Sequence, residues 1–199
     1  MTDPCAPCPP PRAQPAPPIL GVVLAGGRSR RFGADKAAAL WQGQPLIAHA
    51  LAGLAPHVAA LAVAGRDYPG VSSLADWPEP GLGPLGGLCG ALHHAAGAGF
   101  AGVLVTGCDM PLFPPALAAA LLGDGPAVLE GAHLVGWWPA DLAGALAAHL
   151  AQSPSRAVRL WIAAAGARVV RPGDIGLGEG GLPNINTPAD LADLAARPL

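Results

Sequence analysis

Residues 19–36, Ile-Leu-Gly-Val-Val-Leu-Ala-Gly-Gly-Arg-Ser-Arg-Arg-Phe-Gly-Ala-Asp-Lys, constrain this chain more than any other stretch. The apolar run Ile19 to Ala25 is short, rich in branched residues and closed by Gly26-Gly27, the pattern of a buried parallel strand. Between Gly27 and Lys36 follow three arginines, Ser29 and Gly33. Glycines lack a Cβ, so successive backbone N–H groups can turn toward one point; such a nest holds oxyanions, more strongly with cations beside it. A buried strand running into this loop predicts a polyphosphate cradle at its carboxyl end.

Neither of the two commonest phosphate loops fits. Arg28 breaks the G-x-G-x-x-G dinucleotide pattern, and Gly33 is followed by Ala34-Asp35-Lys36 rather than by the Lys-Ser/Thr of a P-loop.

The chain has 199 residues, 52% of them apolar, enough for one sizeable core and crowded for two. Its formal charge is −2 and only 12% of residues are charged. Nucleic-acid binding needs a broad basic surface, and no basic block exceeds Arg28, Arg30 and Arg31, so a small anion is the expected partner. No stretch supplies the roughly 18 to 20 apolar residues of a membrane span, which predicts a soluble protein. Residues 1–18 are rich in proline, with no apolar block, and read as a disordered tail of a cytoplasmic protein. Cys5 and Cys8 have metal-site spacing but lack two further ligands, and Cys89 and Cys108 fall in packed segments, so the pair reads as accidental.

Past the loop, Pro45 to Leu54 has one apolar face at helical spacing and Val58 to Ala64 reads as a second strand. His49 and His57, with no ligand partners at metal spacing, read as surface or packing histidines. Asp76 to Gly90 opens with too many prolines and glycines for regular structure, then Leu85, Leu88 and Leu92 begin a helix. A helix N-terminus there directs unpaired N–H groups and partial positive charge outward, which suits a nucleotide. Gly102 to Thr106 is another buried strand, leading into Gly107-Cys108-Asp109-Met110-Pro111. Ligands of an open parallel sheet collect beyond the carboxyl ends of its strands, so Asp109 is the candidate Mg²⁺ ligand, with a helix cap as its alternative role.

Helices are expected near 115–122, 141–150 and 155–165, and strands near 127–129, 133–137 and 169–170. Trp137, Trp138 and Trp161 read as packing residues. Such alternation predicts an α/β fold over residues 19–199: one domain with a three-layer α/β/α, Rossmann-like architecture and a mostly parallel central sheet. The chain closes on Leu182-Pro-Asn-Ile-Asn-Thr-Pro-Ala-Asp-Leu191. Thr187 can cap a helix with Pro188 first and Asp190 third. That does not explain Asn184 and Asn186, which share one side of an extended segment and could hold a phosphate or ribose through their amides.

Leu24-Ala-Gly-Gly-x-Ser-x-Arg-Phe-Gly-x-Asp-Lys36 resembles the opening motif of nucleotidyltransferases that handle molybdenum cofactor, sugar nucleotides and isoprenoid precursors. Gly83-Pro-Leu-x-Gly-Leu88, Cys108-Asp-x-Pro111 and Asn184-x-Asn-Thr-Pro188, in that order, narrow the resemblance to the molybdenum cofactor guanylyltransferases of the MobA-like NTP transferase family. The resemblance spans about residues 19–196. It implies transfer of GMP from GTP to molybdopterin bearing molybdenum, with Mg²⁺ as cofactor and pyrophosphate released. GTP and molybdopterin are then the partners, with molybdoenzymes or their chaperones as candidate recipients.

The same resemblance assigns Leu24, Ala25, Gly26, Gly27, Lys36, Asp76, Gly83, Pro84 and Asp109 to the nucleotide. Arg28 to Arg31 join the triphosphate cradle, Arg30, Arg31, Lys36 and Asp109 become catalytic, and Asn184 and Asn186 become substrate-binding. Asp76 stands where the family has an acidic residue near the nucleoside, although it suits a plain turn equally well. Two positions depart from the pattern. The asparagine that relatives carry at the end of the second strand is missing from Val63-Ala64-Gly65, where Arg66 and Asp67 are the nearest polar residues, and Gly107 replaces a common proline. The alternatives are a molybdopterin cytidylyltransferase and a non-catalytic nucleotide-binding or cofactor-carrying protein of the same fold.

Overall fold

A strand with no polar side chain has to be covered on both faces, and Ile19–Leu24 (β1) is: Val22 and Val23, which point to opposite faces, are both fully buried. The computed structural model describes residues 17–26, 32, 35–153, 155–178 and 181–196. After β1 come β2 (Leu40–Trp41), β3 (Gln44–Pro45), α1 (Leu46–Leu54), β4 (Ala60–Ala64), β5 (Ser72–Leu74), α2 (Pro84–Ala98) and β6 (Gly102–Gly107). The second half holds α3 (Pro115–Leu121), β7 (Ala127–Leu129), β8 (Ala132–Pro139), α4 (Ala143–Gln152), α5 (Val158–Ala164), β9 (Arg168–Val170) and α6 (Pro188–Ala195).

The main sheet has the order β5-β4-β1-β6-β8-β7-β9. Every strand runs in one direction except β8, which is antiparallel to both β6 and β7. The mostly parallel sheet is thus as expected. The reversal of β8 is an addition, as are edge strand β5 and the separate hairpin of β2 and β3.

Period-two alternation sorts the strands' side chains onto two cores. Val23, Val63 and Leu104 face α1 and α3, where they meet Ile47, Leu54 and Leu117. Leu20, Val22, Val103 and Val105 face the other way, against Leu85, Leu88 and Leu92 of α2, Leu146 of α4 and Trp161 of α5. Trp137, Trp138 and Trp161 are 5%, 1% and 2% exposed, which makes them packing residues. His49 is a packing residue too, its Nε2 lying 2.8 Å from the Trp41 carbonyl oxygen.

The connection β1-α1-β4 moves to one side of β1, while α2 carries the chain from β5 back over the sheet to β6 on the other side. The strand order therefore reverses beside β1, and a crevice opens beyond the carboxyl ends of β1, β4 and β6.

Candidate active site

Backbone hydrogen bonds extend the sheet by one residue past the strand ends and make the floor of that crevice. Ala25 N–H donates to the Ala64 carbonyl (2.9 Å), Cys108 N–H to that of Leu24 (3.1 Å) and Gly65 N–H to that of Leu74 (3.4 Å). Gly26 and Gly65 touch across this floor. A Cβ on Gly65 would lie 2.4 Å from the Gly26 Cα, and Gly65 has φ +89°. Both features demand glycine. The cleft above measures about 1110 Å³, room for a nucleotide and part of a second substrate.

Lys36 opens a single 3-10 turn, Lys36–Ala38, whose Ala37 is buried in the first core. Asp35 caps that turn, accepting from Ala37 N–H at 3.2 Å. The Lys36 ammonium donates to Asp109 Oδ2 at 3.0 Å and to Asn186 Oδ1 at 3.1 Å. Three distant segments thus converge on one nitrogen. The pair is partly shielded, with Lys36 12% and Asp109 27% exposed. Opposite unit charges about 4 Å apart are worth about 4 kcal/mol at an effective dielectric near 20, before desolvation is subtracted.

Asn186 is held in place from both sides. Ile185 N–H donates to the Asp109 carbonyl at 2.9 Å, and the Ile185 side chain, 1% exposed, packs with Trp41, Leu46 and Leu194. Beyond it, Thr187 and Asp190 form the expected capping box: Asp190 N–H donates to Thr187 Oγ1, and Asp190 Oδ2 accepts from the N–H groups of Asn186 (2.7 Å) and Thr187 (2.8 Å). Those backbone donors, Asn186 first, hold the Asp190 carboxyl below its ordinary range.

On the opposite wall the chain lies along the glycine face of α2. A Cβ on Gly90 would meet the Ala75 carbonyl oxygen at 2.0 Å and one on Gly86 would press on the Asp76 carboxyl, so the helix accepts this strand-like segment only where it has no side chains. Trp77 N–H donates to the Gly86 carbonyl, and Asp76 Oδ2 accepts from Gly81 N–H at 3.1 Å. Arg156, from the loop before α5, donates to the Gly81 carbonyl at 3.1 Å and so braces the loop that orients Asp76. At the start of α2 no side chain caps the first turn, and Gly83 and Pro84 line the cleft.

Asp109 suits a hard divalent cation. Its Oδ2 takes the lysine, and its Oδ1 lies over Gly107, where a Cβ would come within 2.3 Å of that oxygen. Glycine at 107, where proline was the pattern, leaves this carboxylate room at the strand end. Among the described residues no group of three or more His, Cys, Asp or Glu gathers to enclose a metal by itself. One carboxylate with phosphate oxygens and water is the donor set that Mg²⁺ uses. Cys108 is not a thiolate donor here, because burial first and the Asp109 charge second push its thiol up to about 11.

Of the residues singled out from sequence, Leu24, Ala25, Gly26, Lys36, Asp76, Gly83, Pro84, Asp109 and Asn186 line one cleft. Asn184 is exposed and outside that lining. Gly27, Arg28, Arg30 and Arg31 lie outside the described residues, as do Cys5 and Cys8 and most of the proline-rich tail. Unanticipated is the fork-to-fork pair of Arg66 and Asp35 inside the cleft, with Nη1 to Oδ1 at 2.9 Å and Nη2 on Oδ2. Arg66 hydrogen bonding holds the Asp35 carboxyl below its ordinary range, and Asp35 in turn raises Arg66. The only sequence signal for it was position: Arg66 stands just past the carboxyl end of a strand.

Residues 21–169 match the MobA-like NTP transferase domain. The chain belongs to that family. It is 35% identical over 184 residues to the molybdenum cofactor guanylyltransferase of Rhodobacter capsulatus, covering 87% of this chain and 93% of that one. A probable molybdenum cofactor guanylyltransferase of Deinococcus radiodurans is 37% identical over 190 residues, with 90% and 95% covered. Among solved structures, molybdopterin-guanine dinucleotide biosynthesis protein A from Archaeoglobus fulgidus superposes with a TM-score of 0.71 at 22% identity, covering 87% of this chain and 95% of that one. That likeness confirms the fold of this nucleotidyltransferase: a largely parallel sheet between two layers of helices.

Proposed function

We propose that the protein is a molybdenum cofactor guanylyltransferase that moves GMP from GTP to the terminal phosphate of molybdopterin bearing molybdenum, releasing pyrophosphate. The observation that carries the reading is the convergence of Lys36, Asp109 and Asn186 at the carboxyl end of the sheet, beside the start of an uncapped helix. In this reaction a phosphate oxygen attacks the α-phosphorus and pyrophosphate leaves, so no side-chain nucleophile is needed. Positioning and charge neutralisation do the work.

Lys36 is the fixed cation for the triphosphate. Asn186 Oδ1 and Asp109 hold its ammonium in place, so it need not reorganise as charge moves onto the departing oxygens. Arg30 and Arg31 add charge from the loop, and Gly26 and Gly27 let the backbone approach the phosphates. Asp76 and the Gly83-Pro84 helix start hold the nucleoside side, and Asn186, the one of the two asparagines that lines the cleft, the acceptor side. Mg²⁺, held by Asp109, would offset charge on the triphosphate when bound. No helix among the described residues is long and apolar enough to cross a membrane, and the reading places the reaction in the cytoplasm.

Base choice is the part of the reading to test first, because Gly65, wedged on Gly26, leaves the end of β4 without a side chain at that position. Thermal unfolding with Mg²⁺ and GTP, CTP or ATP tests it, since ligand at about 100 times its dissociation constant adds about 2.7 kcal/mol. A shift selective for GTP, followed by pyrophosphate release in the presence of molybdopterin, is the expected result. A preference for CTP would make the chain a cytidylyltransferase, and no shift with any nucleotide would refute the enzymatic reading.

A further inference from the structure

The cleft holds a second cation, Arg66, which bonds a carboxylate other than Asp109. Arg66 lies just beyond the end of β4, and its guanidinium is spent on Asp35 through two parallel hydrogen bonds. Asp35 is the residue before Lys36, and its carboxylate also caps the turn that Lys36 begins. One carboxylate therefore ties the end of β4 to the first turn of the segment that carries the catalytic ammonium. From the other side the turn is anchored by the burial of Ala37, 3% exposed. A planar fork on a carboxylate fixes direction as well as distance, which a point charge does not. Gly65, wedged on Gly26, sets where Arg66 leaves the strand.

We propose that Arg66 is a positioning residue: through Asp35 it holds the Lys36 turn at the height where the ammonium meets Asp109 and Asn186, and it does not itself contact the nucleotide. Its claim on activity rests on the guanylyltransferase reading; its claim on the turn does not.

The pair is a surface pair, with Arg66 30% and Asp35 51% exposed, so its removal leaves the core intact. Two measurements on the full chain decide the matter. The first is amide hydrogen exchange in the nucleotide-free protein. Arg66→Ala should speed exchange at Ala37, Ala38 and Ala39 about 10-fold with β1 and β6 unchanged, since local opening is governed by local contacts. Unchanged exchange at the turn overturns the proposal, whatever the activity.

The second is a double-mutant cycle on turnover. Arg66→Ala should lower kcat by about 10- to 100-fold, the scale of a misplaced catalytic group, with the KM for GTP changed by less than about threefold. Arg66→Lys, with charge but no fork, should recover only part of the loss. In an Asp35→Ala background, Arg66→Ala should cost no more than about a further twofold, because the path to Lys36 is already cut. Losses that multiply instead would place Arg66 on the nucleotide and refute the positioning role. A wild type that turns over no GTP sinks the guanylyltransferase reading alone, and the exchange experiment still decides the role of Arg66.

Discussion

Replacing Gly65 with alanine tests the geometry of the cleft floor more sharply than any change of charge. Two costs are expected, and the structure separates them. The first is conformational: φ is +89° at Gly65, and an L-residue in this region costs about 1–2 kcal/mol. The second is steric. The new Cβ would lie 2.4 Å from the Cα and 2.6 Å from the N of Gly26, backbone atoms that have no rotamer to retreat into, and such overpacking costs about 1–3 kcal/mol. Gly70 supplies the control, with φ +76° and nothing within 4 Å of its Cβ position, so Gly70→Ala carries the first cost only. At about 2–4 °C per kcal/mol for a chain of this size, Gly65→Ala should lose about 4–20 °C in Tm and Gly70→Ala about 2–8 °C. Because Gly26 lines the cleft, only the change at 65 should also shrink the Tm gain on adding GTP with Mg²⁺. Gly65→Asn should recover part of the conformational cost and keep the steric one, so it should still lose more than Gly70→Asn. Its side chain tolerates the left-handed backbone, yet its Cβ meets the same Gly26 atoms. Equal losses at positions 65 and 70, with GTP binding intact at both, would refute the argument that these strand ends meet only through glycine.

Lys36→Ala should lower turnover by about 10²- to 10³-fold, the scale of removing one preorganised donor, and near-normal activity would remove Lys36 from the proposed role. Asp109→Asn should abolish the dependence of activity on added Mg²⁺ along with most of the activity, while Tm moves little; a variant with an unchanged metal titration would contradict the assignment. Thr187→Ala should cost about 1 kcal/mol through the lost cap, read as a drop in Tm. The Asp190 carboxyl is held below its ordinary value of 3.8, so its contribution is complete above that pH and fades as pH falls through the lower folded value. The Tm gap between wild type and Asp190→Asn should therefore be widest near neutrality and narrow in acid, and a gap independent of pH would rule out the charged cap.

What could be read from the sequence was what depends on neighbours along the chain. The run Ile19 to Ala25, the strand that leads into Asp109 and the Thr187 cap all carry their physics within a few residues, and each is where its local pattern put it. What could not be read depends on which strands become neighbours. Nothing in Gly26 or Gly65 alone says that they touch; that follows only once β1 and β4 pair in register, with Leu24 beside Ala64. The Arg66–Asp35 fork bridges 31 positions and exists only because the same pairing brings β4's end beside the loop after β1. The direction of β8 was equally hidden, since alternation along His133 to Trp137 specifies faces and not polarity. Edge strand β5 carries Ser72 and Ser73, both exposed, and offers only Leu74 as an apolar residue, too little for a strand pattern.

The charges of the cleft bear on how, under the proposed reading, it would receive a triphosphate. Among the described residues lining it, the carboxylates of Asp35, Asp67, Asp76 and Asp109 outnumber the cations of Lys36 and Arg66. Arg66 is already neutralised by Asp35, and Lys36 faces Asp109. Such a site would repel a polyanion on net charge alone, so its selectivity cannot come from a general positive field. It has to come from charge that arrives with the substrate or from the loop between Gly27 and Ala34. On the proposed reading, a divalent ion on Asp109 would supply the first and the arginines after Gly27 the second. Lys36 would then act less as bulk positive charge than as one donor fixed at a known height, which is why the devices around it, the Asp35 cap, the Ile185 anchor and the Asp190 box, constrain position more than they add charge.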